Sequence, residues 1–100
     1  VGGRVSGMHV ATLRVELLIP DAYSLKDKRK VVRSVLDRTR HRFRVAAAEV
    51  EANDIHNLAV LGFAAVSNEP RHAAEILGHV LEFLRKSPHA LVGEHELEVD

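Results

Sequence analysis

The hydrophobic period of this chain changes four times in 100 residues, and the order of those changes restricts it to very few folds. From His9 to Ile19 the residues alternate, with Ala11, Leu13, Val15, Leu17 and Ile19 on one face and Val10, Thr12, Arg14, Glu16 and Leu18 on the other. That is the period of a strand with one buried face. Pro20-Asp21 ends it, and Ser24-x-x-Asp27 resembles a capping box at the mouth of a helix. At ~100° per residue Leu25, Val32, Leu36 and Phe43 then fall on one stripe, which predicts a helix from Leu25 to Arg42. Arg44 to Ala52 and Leu58 to Val66 read as strands on either side of a polar turn, the latter interrupted by Gly62. Ser67 or Asn68 can cap a second helix with Pro70 in its first turn and Ala73, Ile76, Leu77, Val80 and Leu84 as its buried stripe. Ser87-Pro88 stops it, and Leu91 to Asp100 alternates once more, Leu97 and Val99 opposing Glu94, Glu96 and Glu98.

Strand, helix, strand, strand, helix, strand is the split βαβ, or ferredoxin-like, order of an α+β protein. It predicts a four-stranded antiparallel sheet with two helices on one face and the first and third strands in its centre. Residues 8–100 are expected to form that single domain, with 1–7 a disordered N-terminal prefix and Met8 a candidate start.

Net charge is zero, yet the charges are segregated. Between Leu25 and Arg44 nine Lys or Arg residues face only Asp27 and Asp37, which makes the stretch +7; the other 80 residues carry five basic and twelve acidic groups, or −7. A basic helix of this kind points to an anionic partner. By the helical period Lys26, Arg29, Lys30, Arg33 and Arg40 project from one flank, with Asp37 among them able to pair with Arg33 or Arg40, while Lys28, Arg38 and Arg42 lie on the opposite flank. The expected nucleic-acid-binding set is Lys26, Arg29, Lys30, Arg33, Arg38, Arg40 and Arg42, because guanidinium and ammonium groups hold phosphate and need no base reading to do so. A solvated helix face with cations near its carboxyl end is the plainer account of any one of these residues.

The uncovered sheet face is expected to carry Glu16, Glu49, Glu51, Glu94, Glu96 and Glu98, which repel phosphate, and only four aromatic residues exist to stack on bases. Val10, Leu18, Val45, Leu61 and Phe63 are expected at the apolar centre of that face, where a protein partner or a second copy would dock.

Other chemistry finds little support. There is no cysteine, and the seven histidines form no HExxH or i, i+4 ligand set, so no metal site is expected. Asp54 and His56 lack any accompanying nucleophile, no phosphate-cradling glycine loop is present, and the phosphate-loop signature of the acylphosphatases, which share this fold, is absent. No cofactor and no enzymatic activity are expected. No apolar run approaches the ~20 residues of a membrane span, so no membrane partner is expected.

Ser24-Leu25-Lys26-Asp27-Lys28-Arg29 resembles the signature of the YlxP-like family of small bacterial proteins, and the similarity continues through Val31 to Arg42, Ala48-Glu49-Val50, Ala59 to Gly62 and Val66-Ser67-Asn68. The turn Glu51-Ala52-Asn53-Asp54 departs from it, since His or Gln is expected there. The resemblance implies a ferredoxin-like fold, a bacterial cytoplasmic setting and, by association with translation genes, a link to RNA or the ribosome. It carries no catalytic residues. The abundance of Arg over Lys, with no Gln, suggests a heat-adapted or GC-rich source. The leading expectation is therefore a non-enzymatic protein binding ribosomal RNA or a ribosomal subunit, with no DNA partner. The alternative is a homodimeric interaction module whose basic helix docks an acidic protein.

Overall fold

In the computed structural model, which describes residues 7–100, the chain forms β1 (His9–Leu18), α1 (Leu25–Phe43), β2 (Ala46–Glu51), β3 (Leu58–Ser67), α2 (Pro70–Arg85) and β4 (Leu91–Val99). The four strands make one antiparallel sheet in the order β2-β3-β1-β4, with both helices on the same face. This is the expected α+β ferredoxin-like architecture. Apart from Gly7, the expected N-terminal prefix lies outside the described residues.

Ser24 begins α1 as expected: its hydroxyl accepts the Asp27 N–H at 3.1 Å. The Asp27 carboxylate accepts from Tyr23 N–H, one residue before the position a capping box would engage. The helix ends at Arg44, whose left-handed backbone (φ 53°) aims its N–H at the Arg40 carbonyl. Helix α2 starts later than predicted. Its N-cap is Glu69 with Pro70 at the first turn, and Ser67 Oγ accepts Glu69 N–H from outside the helix.

The core lies between helices and sheet. Ala11, Leu13, Val15, Leu17 and Ile19 line its floor, and Val32, Val35, Leu36, Ala73, Leu77, Val80 and Leu84 come down from the helices. Register assigns the β3 faces, which its lack of polar alternation leaves open: Leu61 lies opposite Val15 and Phe63 opposite Leu13. Directly paired residues share a face. Leu61 (0% exposed) and Phe63 (2% exposed) are therefore core residues beneath the helices, and Val45 is buried in the same cluster. This corrects the expectation that Val45, Leu61 and Phe63 form an apolar centre on the uncovered face; of that group only Val10 and Leu18 are there.

Candidate functional site

Helix α1 presents five basic side chains, Lys26, Arg29, Lys30, Arg33 and Arg40, on one exposed flank, as the helical period implies. Their surroundings separate them. Arg40 pairs with Asp37 at 3.3 Å and donates to the Ala47 carbonyl of β2, so it ties the end of α1 to an edge strand. Among the described residues, Lys26, Arg29, Lys30 and Arg33 have no carboxylate within ion-pair distance. The sequence left Asp37 able to pair with Arg33 or Arg40; in the structure it pairs with Arg40.

Arg38 and Arg42 are equally exposed but stand on the other flank, facing α2. There the Arg38 guanidinium lies 5.7 Å from the Phe83 ring centre, and that of Arg42 lies 5.5 Å from Phe83 and 5.6 Å from Phe43. The seven expected phosphate contacts are thus divided between two surfaces, and one extended strand of nucleic acid along α1 cannot lie against both.

Lys28 is the basic residue that sequence reasoning misplaced. It is not on an exposed flank but in the core stripe, 1% exposed, with Nζ 2.8 Å from Glu49 Oε2. The same ammonium donates to the Ala52 carbonyl at 2.5 Å. Glu49 Oε2 is buried and makes an ion-pair contact without hydrogen-bond geometry, so charge rather than a directed bond holds it. Its position four residues before Val32 and seven before Val35 placed Lys28 near the buried arc, which was the available signal.

A β-bulge explains the partner. Glu49 opposes Leu61 and Glu51 opposes Val60, leaving Val50 as the extra residue. Simple alternation puts Glu49 and Glu51 on one face. The bulge sends Glu49 under α1 to Lys28 and turns Glu51 to the uncovered face, where it meets Arg14 at 3.0 Å. The expectation that Glu49 lies on the uncovered face is therefore corrected.

Across that face, cross-strand rows run Ala46–Ala64–Thr12–Glu98 and Ala48–Gly62–Arg14–Glu96. Small side chains leave a shallow trough of about 560 Å³ rimmed by Glu51, Glu96 and Glu98. Among the described residues lining this trough, Arg14 is the one Lys or Arg, set among these acids. Negative charge on the sheet face and positive charge on the helix face are thus on opposite sides of the molecule, a polarity that directs anions to the helices. Among the described residues no three His, Asp or Glu side chains are grouped to hold a metal ion, and no helix is long and apolar enough to cross a membrane.

Comparison with known proteins agrees with this arrangement only at the level of family. A 73-residue stretch, 73% of this chain, is 36% identical to the uncharacterized protein YlxP of Bacillus subtilis (strain 168) and spans 79% of that protein. Residues 10–97 match the family described as "Protein of unknown function (DUF503)", a span that covers both helices, β2, β3 and all but the outer ends of β1 and β4, and the chain belongs to that family.

Proposed function

We propose that the protein is a non-enzymatic RNA-binding module of the bacterial cytoplasm that holds ribosomal RNA, free or in a ribosomal subunit, through the outer flank of α1. The observation that carries this reading is the set Lys26, Arg29, Lys30 and Arg33: four exposed cations within two helical turns, unpaired among the described residues. Asp27 lies at i−3 of Lys30 and Asp37 at i+4 of Arg33, yet Asp37 pairs with Arg40 and the Asp27 carboxylate accepts from Tyr23 N–H, so neither acid neutralises this flank. An unneutralised group of four is attracted to a polyanion and makes phosphate contacts that need no base reading. The acidic sheet face supports the same orientation, because it repels phosphate from the surface that related RNA-binding folds use.

Binding of the purified protein to ribosomal RNA and subunits across a salt series tests this. Four phosphate contacts give a log–log slope of about −3 to −4. Replacing Lys30 and Arg33 together with Glu should abolish saturable binding while leaving the melting temperature nearly unchanged, since neither side chain has an ion-pair partner among the described residues. Binding that survives this double replacement rejects the assignment.

A second reading, a homodimer through the uncovered sheet face, draws support from the exposure of Leu18, Val50, Val66 and Leu91 around that face. Leu18→Glu should then halve the mass seen by light scattering; an unaltered protein that is already monomeric at high concentration sinks it.

A further inference from the structure

The second cationic surface, between α1 and α2, is a cleft of about 430 Å³. Its floor is the edge-to-face pair Phe43 and Phe83, 5.6 Å apart at 75°. Arg38 and Arg42 stand over these rings, and Lys86, His79 and Ser87 complete the polar lining. Among the described residues Glu82 is the one carboxylate lining the cleft, and Arg85 holds it at 2.7 Å. Three permanent cations therefore face a single, already engaged acid.

Two further features set this cleft apart from an ordinary solvated helix face. Stacking on the aromatic rings restrains both guanidinium groups. Neither has a carboxylate partner among the described residues; the one hydrogen bond of either group there is a long one, 3.4 Å from Arg38 Nε to the Ser34 carbonyl. In addition, Ser87 Oγ is buried with no hydrogen-bond partner among the described residues. Cations near helix carboxyl ends are favoured by the dipole. The dipole does not account for two guanidinium groups gathered over one ring pair beside an unmet hydroxyl.

We infer that this cleft is a binding site for a phosphate-bearing anion of about mononucleotide size, held by Arg38, Arg42, Lys86 and Ser87 with its apolar part against Phe43 and Phe83. A guanidinium presents a planar fork of N–H donors to phosphate oxygens, and the serine hydroxyl can donate to a third. The volume lies within the range of small-ligand sites. This site is turned about 150° around α1 from the flank of Lys26 to Arg33, by the helical period, and does not rest on the RNA reading.

The test is a titration of the ¹⁵N-labelled protein with AMP and with inorganic phosphate at constant ionic strength, following backbone amides and arginine Nε–Hε signals. Saturable shifts at Arg38, Arg42, Lys86 and Ser87 are expected, with AMP bound at least threefold more tightly than phosphate. Arg42→Ala should weaken AMP binding at least tenfold. Ser87→Ala, which leaves the ring pair untouched, should weaken it several-fold and keeps the test valid if Arg42→Ala unfolds. Lys30→Glu with Arg33→Glu should change it less than twofold. A 5′-phosphorylated oligonucleotide that displaces AMP identifies an RNA end as a source of the phosphate; no displacement identifies a free nucleotide. Shifts that never saturate, or that centre on Lys26 to Arg33, overturn the inference.

Discussion

Lys28 and Glu49 form a buried ion pair, 2.8 Å apart, between the first turn of α1 and the bulged edge strand β2. The Lys28 ammonium also holds the Ala52 carbonyl, so one side chain joins the helix, the edge strand and the turn that follows it. Removing either partner leaves an uncompensated charge in the core, and Lys28→Ala should lower stability by about 3–5 kcal/mol. Replacing both partners with apolar residues of similar volume, Lys28→Met with Glu49→Leu, should recover most of that loss. Chemical denaturation of the two single variants and the double variant checks this. A double variant as unstable as the worse single one excludes an electrostatic origin.

Arg40 and Lys30 share a flank but not a task. Lys30→Ala should reduce the magnitude of the salt slope for RNA binding by about 0.7–0.9, the share of one phosphate. Arg40 is occupied by Asp37 and the Ala47 carbonyl, so Arg40→Ala should leave the slope unchanged and loosen the α1–β2 contact. Equal slopes for both variants would show that the flank acts as a diffuse field rather than through individual contacts.

Ala52 has a left-handed backbone, φ 62°, in the turn after β2. A Cβ there costs roughly 1–2 kcal/mol, which glycine avoids at some entropic cost. Ala52→Gly should therefore stabilise the protein by about 0.5–1 kcal/mol, or about 2–8 °C in melting temperature. A fall in melting temperature contradicts this.

Gly62 sits under the bulge. A Cβ built at this position lies 3.0 Å from Val50 Cγ1, so Gly62→Ala should displace Val50 and destabilise β2. In the background of Val50→Ala the same change should cost less, a coupling of about 0.5 kcal/mol or more by double-mutant cycle. Strict additivity would indicate that the Val50 contact does not determine the need for glycine.

Leu61 and Leu18 test which face is which. Leu61→Ala in the closed core should cost about 2–5 kcal/mol, whereas Leu18→Ala on the half-exposed surface should fall within about 0.5–1 kcal/mol of the unaltered protein. Urea midpoints measure both. Similar values for the two would reverse the facial assignment.

The exposed cationic flank of α1 could be read directly, because exposure on a helix follows the 3.6-residue period and Lys26, Arg29, Lys30 and Arg33 obey it. The ionic interior of the same helix could not. Lys28 is adjacent to those residues in sequence and has the same chemistry, but a carboxylate from a strand twenty-one residues on decides its burial. Arg38 and Arg42 were legible as exposed cations, whereas their stacking on Phe83 depends on how α2 packs beside α1.

The sequence by itself determined the order of elements, the start of α1, the inward face of β1 and the segregation of charge, since each depends on neighbours within a few residues. The tertiary structure alone decided the faces of β3, the separation of Glu49 from Glu51 and the two destinations of the basic residues. Those features depend on strand register, on one extra residue in an edge strand and on helix packing. Each is fixed by partners distant along the chain, and no local periodicity encodes them.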